Sequence, residues 1–145
     1  MAVVRKNGKK TIITLIVLLA IFFMMSMTVL ADEYLNVRIS LAANQVWTGG
    51  YSVTRSGRYS YVSAGLDTVF PSEGNDNFER IQVRVTQFRY GFDALNEEGV
   101  VTLKEGSGYQ NLTIKEGYLN CTTVYFQFRG NSNKAAEAIV NYKSN

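Results

Sequence analysis

Three segments of this 145-residue chain alternate apolar and polar side chains one by one, and that period restricts them to half-buried β-strands. Leu35, Val37, Ile39 and Leu41 alternate with Asn36, Arg38 and Ser40. Ile81, Val83 and Val85 alternate with Arg80, Gln82, Arg84 and Thr86, and Val124, Phe126 and Phe128 with Tyr125, Gln127 and Arg129. Successive side chains of a strand point to opposite faces, so each segment puts one face on a core and the other in water. Shorter runs at 51–55, 58–64, 100–104, 112–115 and 136–142 are rich in β-branched and aromatic residues and complete the set.

Turn residues punctuate these runs. Ser56-Gly57 separates two strand candidates at hairpin spacing, and glycine supplies the positive φ such a turn needs. Thr48-Gly49-Gly50, Gly106-Ser107-Gly108, Glu116-Gly117 and Gly130-Asn131-Ser132-Asn133 mark further breaks. Residues 134–138 have the alanines of a helical turn, but Ile139-Val140-Asn141-Tyr142 behind them reads as an edge or closing strand. About eight short strands without a convincing helix predict an all-β fold. We expect a single antiparallel β-sandwich or jelly-roll-like domain, and several strand orders satisfy the same alternation. An immunoglobulin fold is disfavoured, since no pair of cysteines brackets the single tryptophan.

The first 31 residues read as an address. Arg5, Lys6, Lys9 and Lys10 precede an uncharged run over 11–31, and Val29-Leu30-Ala31 sets small or short residues just before Asp32-Glu33. Charge, apolar run and small residues in that order predict a secretory signal peptide cleaved between Ala31 and Asp32. The domain then spans 32–145, in a secreted, extracellular protein. The alternative is an uncleaved transmembrane anchor, for which the run is long enough. Contact with a membrane would then pass through that segment alone. Asp32 stands where a bacterial lipoprotein would carry its modified cysteine.

Export changes the meaning of the charge. The chain has 15 Lys plus Arg against 12 Asp plus Glu. Four of the basic residues and no acid precede residue 32, leaving a net charge of about −1 on the domain. This is no nucleic-acid footprint, which needs basic residues gathered on one face. Arg80, Arg84 and the pair Arg55/Arg58 could form a local patch, but read more simply as a solvated strand face. Cys121 is the only cysteine, so no disulfide forms within the chain and packing must hold the domain together. We expect Cys121 to be a half-buried small residue.

Several stretches occur together in a familiar pattern. They are 45–50, Thr54-Arg55-Ser56-Gly57-Arg58-Tyr59-Ser60-Tyr61-Val62, Val69-Phe70-Pro71, Asn75-Asp76-Asn77-Phe78 and Lys115-Glu116-Gly117-Tyr118-Leu119-Asn120. Val124-Tyr125-Phe126-Gln127-Phe128-Arg129-Gly130-Asn131-Ser132, with an alanine-rich strand behind it, is another. In these the chain resembles small secreted proteins of Gram-positive gut bacteria, an uncharacterised family. The resemblance implies a bacterial, exported, single-domain protein and carries no catalytic or binding residue with it.

The chemical inventory argues against most enzymes. The absence of histidine removes His-based triads, Cys-His dyads and the commonest zinc ligand. No glycine-flanked nucleophile and no phosphate loop appear. Paired carboxylates suffice for a glycosidase, with Asp67, Glu73, Asp76 and Glu79, or Asp93, Glu97 and Glu98, as candidates. The oxygen-rich loop around Glu73, Asn75 and Asp76 is a weak calcium candidate, because the same residues favour tight turns. No cofactor is expected. Asn111-Leu112-Thr113 and Asn120-Cys121-Thr122 match the N-glycosylation acceptor pattern, which is frequent by chance.

Aromatic content points toward binding. The domain carries Trp47, nine tyrosines and six of the eight phenylalanines. Trp47 and Tyr51 flank the Gly-Gly turn, and Tyr59 and Tyr61 share one face of a strand. Such rings stack on sugars or dock partners, although packing needs aromatics too. The leading expectation is a non-enzymatic extracellular module that binds a glycan, wall polymer or surface protein, with Trp47, Tyr51, Tyr59 and Tyr61 as the candidate site. A secreted effector or antimicrobial-type protein is the alternative, and a small carbohydrate hydrolase a third reading.

Overall fold

A computed structural model describes residues 32–57, 59–71 and 79–145. The signal segment, Ala31 with it, and the proposed calcium loop lie outside the described residues. Eight strands follow in order: β1 Glu33–Leu41, β2 Tyr51–Thr54, β3 Tyr61–Pro71, β4 Arg80–Thr86, β5 Val101–Lys104, β6 Gln110–Thr113, β7 Thr123–Gly130 and β8 Ala136–Ser144. They form two four-stranded sheets, β1-β8-β3-β6 and β2-β7-β4-β5, with every pairing antiparallel. First pairs with last, second with seventh, third with sixth and fourth with fifth. That nesting is one long hairpin wound into a sandwich, the jelly-roll topology.

The alternation read from the sequence becomes the interior. Ile81, Val83 and Val85 of β4 and Val124, Phe126 and Phe128 of β7 are fully buried, and their polar neighbours face outward. From the opposite sheet come Ile39, Leu41, Val62, Ala64, Leu66, Val140 and Tyr142. Tyr142 of β8 reaches across the gap, with ring centroids 5.2 Å from Phe126 and 6.1 Å from Phe128. Small residues make room where strands crowd, since Ala138 and Ala136 pair with Ile39 and Leu41 across the β1–β8 ladder. Cys121 is half-buried against the same core, as expected.

Four expectations are corrected. Leu35 does not join the core face of β1 but is 58% exposed. Asn36 takes φ +55° in a bulge between Tyr34 and Val37, donating its N–H to Asn141 Oδ1, and reverses the facing of the strand residues that precede it in β1. Tyr34 therefore stacks on Tyr142 at 5.0 Å. Second, β8 is no edge strand: it lies between β1 and β3, with its inward and outward residues alternating throughout.

Third, Ser56-Gly57 does not close a hairpin, although Gly57 does take φ +70°. β2 pairs with β7 and β3 with β8 and β6, so the chain crosses between sheets at this point. β3 begins at Tyr61 and runs through a bulge between Leu66 and Thr68 to Pro71, beyond the expected end at residue 64.

Fourth, Arg55 is not on a solvated face. It is 3% exposed at the β2–β3 crossing and binds carbonyls from two loops. Its Nη2 donates to Tyr59 O at 2.8 Å, and Nη1 to Cys121 O at 3.1 Å, Leu119 O at 3.2 Å and Tyr118 O at 3.4 Å. The last three end and follow the 3-10 turn Glu116–Tyr118, so one guanidinium ties the crossing to the segment entering β7. Burial lowers its pKa, with Cys121 acting in the opposite direction.

Candidate functional site

The outward face of β2-β7-β4-β5 carries the candidate site, with two loops built onto it. Residues 45–50 run beside the end of β7, because Thr48 exchanges two hydrogen bonds with Phe128. Its N–H donates to Phe128 O at 2.8 Å, and its hydroxyl accepts the Phe128 N–H at 3.0 Å. This docking sets Trp47 over two cations. Arg84 of β4 and Arg129 of β7 each place their guanidinium carbon 4.4 Å from the indole centroid, within cation–π range.

The second loop, 87–100, joins β4 to β5 and is held by its carbonyls. Arg84 donates from Nη1 to Phe92 O at 2.6 Å and from Nη2 to Gly91 O at 3.1 Å, while its Nε donates to Gln127 Oε1 at 2.8 Å. Gln127 Nε2 donates to Arg89 O at 3.0 Å, and Thr86 Oγ1 to Phe88 O at 2.8 Å. The Gly50 N–H adds a bond to Arg89 O at 2.7 Å. Gly50 is the residue that permits this approach. A Cβ there would lie 2.6 Å from Tyr125 Cβ and 2.9 Å from Arg89 O.

With the backbone of 88–92 turned down onto the sheet, the three rings it carries turn out, whereas Leu95 and Asn96 further along the loop are buried. Phe88 is 65% exposed, Tyr90 71% and Phe92 86%. A folded domain ordinarily buries such rings, and these three are the most exposed of the large apolar side chains among the described residues. The bonds to Phe88 O, Arg89 O, Gly91 O and Phe92 O thus hold the backbone that carries these rings.

Charge on this face is one-sided around Trp47. Burial lowers the pKa of Arg84, the neighbouring Arg129 lowers it further, and Asp93 acts in the opposite direction. Arg129 commits its Nε to Gln82 Oε1 at 2.6 Å, and beyond the contact with Trp47 its terminal nitrogens make no hydrogen bond among the described residues. Arg89 adds a third cation, 5.6 Å from the Tyr90 ring.

The four aromatic residues expected to bind are not brought together. Trp47 belongs to the face just described. Tyr51 points inward from β2, its ring 6.0 Å from both Phe128 and Tyr142, and burial raises its pKa against the opposing charge of Arg89. Tyr59, just before β3, and Tyr61, its first residue, pair with each other at 5.7 Å at one end of the opposite sheet. The exposed rings on the face of Trp47 are instead Phe88, Tyr90 and Phe92. Their signal was the alternation of rings with Arg89 and Gly91, which reads as a strand until the hydrogen bonds of its backbone are known.

The remaining candidates have local duties. Asp32 accepts the Thr54 N–H at 2.8 Å through Oδ2, and its own N–H donates to Ser144 Oγ at 3.0 Å. Asp67 accepts from Asn141 Nδ2 at 2.7 Å. Both oxygens of Glu98 accept the Thr113 N–H at 3.1 Å. Burial alone would raise the pKa of Glu98, but backbone and side-chain hydrogen bonds outweigh it and hold the carboxyl below its ordinary value. Glu73, Asn75 and Asp76 lie outside the described residues, and among those described no three acidic, cysteine or histidine residues gather as a metal site. Nor is any described helix long and apolar enough to cross a membrane.

Comparison with known proteins finds no matching family model, no similar curated protein and no similar solved structure.

Proposed function

We propose that this chain is an exported, non-enzymatic binding module that engages a glycan at a cell surface through the outward face of β2-β7-β4-β5. One observation carries the reading: Phe88, Tyr90 and Phe92 stand in solvent on a loop whose carbonyls are tied to the sheet beneath, beside a tryptophan held on two arginines. Rings of this kind stack on the apolar faces of sugars, and a fixed support lowers the ordering cost of binding. The basic and apolar segment before Asp32 supports export.

Co-sedimentation of residues 32–145 with peptidoglycan, intact cells and insoluble polysaccharides tests it. The core strands all lie within this segment, and far-UV circular dichroism verifies the fold of each variant. We expect pelleting that Phe88→Ser with Phe92→Ser abolishes and that Tyr59→Ala, on the opposite sheet, leaves intact. Pelleting that follows Tyr59 instead, or none with any material, refutes the reading.

A further inference from the structure

The two faces of the sandwich carry their charges differently. On the outward face of β1-β8-β3-β6, Arg38 pairs with Glu137, and Lys143 approaches Glu33 at 3.9 Å. The outward strand positions of the other sheet are Ser52 and Thr54 on β2, Thr123, Tyr125, Gln127 and Arg129 on β7, Arg80, Gln82, Arg84 and Thr86 on β4, and Thr102 and Lys104 on β5. Four of these are cations and none is an acid. Asp93, in the loop after the exposed rings, is the acid that acts on Arg84.

The cations are also set against one another. Arg80 stands directly opposite Lys104 in the β4–β5 ladder, and neither makes an ion pair among the described residues. Like charges facing each other across strands oppose folding. Gln82 and Gln127, which pair with Arg129 and Arg84, hold the other two guanidinium groups in place without neutralising them. A domain with a small net negative charge thus gathers unneutralised positive charge on the one face that also exposes its aromatic loop.

We propose that the ligand of this face is an acidic polysaccharide, one whose sugar rings carry carboxylates. This rests on the glycan reading above and narrows it. Arginine forks match carboxylate geometry with paired N–H donors. The aromatic residues supply the second half of the recognition, because they need a ring to stack against. A poly(glycerol phosphate) chain offers anions but no such ring, and a neutral glycan offers rings but nothing for the cations. Successive outward residues on a strand lie roughly 6–7 Å apart, so Arg80 and Arg84, with Gln82 between them, stand roughly 13 Å apart along the sheet, a spacing that non-adjacent sugars of one chain can meet.

The test is a titration of residues 32–145 with polygalacturonate, its fully methyl-esterified form and a poly(glycerol phosphate), followed by the fluorescence of Trp47, the only tryptophan. Vesicles of phosphatidylglycerol and phosphatidylcholine, in a ratio of roughly one to two, form a fourth arm. We expect polygalacturonate to bind at least about tenfold more tightly than the ester, and its affinity to fall about tenfold between about 20 and about 200 mM salt. Arg80→Gln with Lys104→Gln should weaken binding roughly threefold to tenfold while raising the melting temperature by about 1–4 °C, because it removes the facing charges.

Equal binding of acid and ester, insensitive to salt, overturns the acidic ligand and leaves the glycan reading standing. Preference for poly(glycerol phosphate), or for vesicles with no polysaccharide bound, overturns both. A double variant that binds polygalacturonate as well as the original chain also overturns the proposal, since the cations then play no part.

Discussion

Arg55 offers the sharpest test of what holds this sandwich together. Its guanidinium is the sole side-chain donor to Tyr59 O, Leu119 O and Cys121 O among the described residues. Arg55→Met keeps much of the volume and removes every donor. A hydrogen bond from a charged donor contributes about 1.5–3 kcal/mol, and a buried carbonyl left without a partner costs a similar amount. Three such carbonyls, partly offset by the apolar thioether and by water, set the expected loss at about 3–5 kcal/mol. A domain of this size has roughly 5–15 kcal/mol in all, so the melting temperature should fall by roughly 10–25 °C. Arg55→Lys should lose about 2 kcal/mol, because one ammonium cannot reach Tyr59 and the 3-10 turn together. Arg55→Ala should exceed Met by about 1 kcal/mol through the cavity it leaves. Urea denaturation followed by Trp47 fluorescence gives all three values. A Met variant within about 0.5 kcal/mol of the original chain would refute the reasoning, since the carbonyls would then be satisfied without Arg55.

Two further predictions follow from close contacts. Gly50→Ala should cost about 1–3 kcal/mol, because its Cβ must displace both Tyr125 and the Arg89 carbonyl, and it should also weaken glycan pelleting by moving the aromatic loop. Both effects are read by running the melting curve and the pelleting assay on one preparation. Burial of Tyr142, aided by the nearby Tyr34 and Tyr51, pushes its pKa up to about 12. A raised pKa favours the protonated form in the fold, so the stability it contributes is present below pH about 10 and is lost as pH rises through about 12. The loss should be on the order of 2–3 kcal/mol over that window, and Tyr142→Phe should largely remove it from a series of urea midpoints measured against pH.

The sequence made some of this legible and hid the rest for physical reasons. β4 and β7 were plain because each keeps strict alternation, one face buried and the other polar, over its apolar run. β1 misled at its start because the bulge at Asn36 is set by backbone conformation and by a distant acceptor, Asn141. The false hairpin at Ser56-Gly57 had the right turn chemistry, but long-range pairing with β7 and β8 decided where its flanking strands went. Arg55 looked like a surface residue because nothing local reveals that the loop around 118–121 will fold over it. At the site, Trp47 stood out as the only tryptophan, whereas the arginines beneath it come from β4 and β7 and meet only through strand pairing.

On the face proposed to bind, Arg84 joins support and contact in one side chain. Arg84 binds the carbonyls of Gly91 and Phe92, touches the Trp47 ring and engages Gln127, which in turn holds Arg89 O. Removing it would loosen both loops at once, so lost binding in an Arg84 variant would not distinguish a missing contact from a missing support. Arg80, Lys104, Phe88 and Phe92 do not share that double duty, for the first two point outward from their strands, the last two stand in solvent on the loop, and none of these side chains hydrogen-bonds the backbone among the described residues. Substitutions there separate the two effects: a change in affinity at unchanged or raised stability belongs to the partner, not to the fold. The jelly roll makes this separation possible because its core residues point inward on alternate positions of the very strands whose outward positions carry the charges.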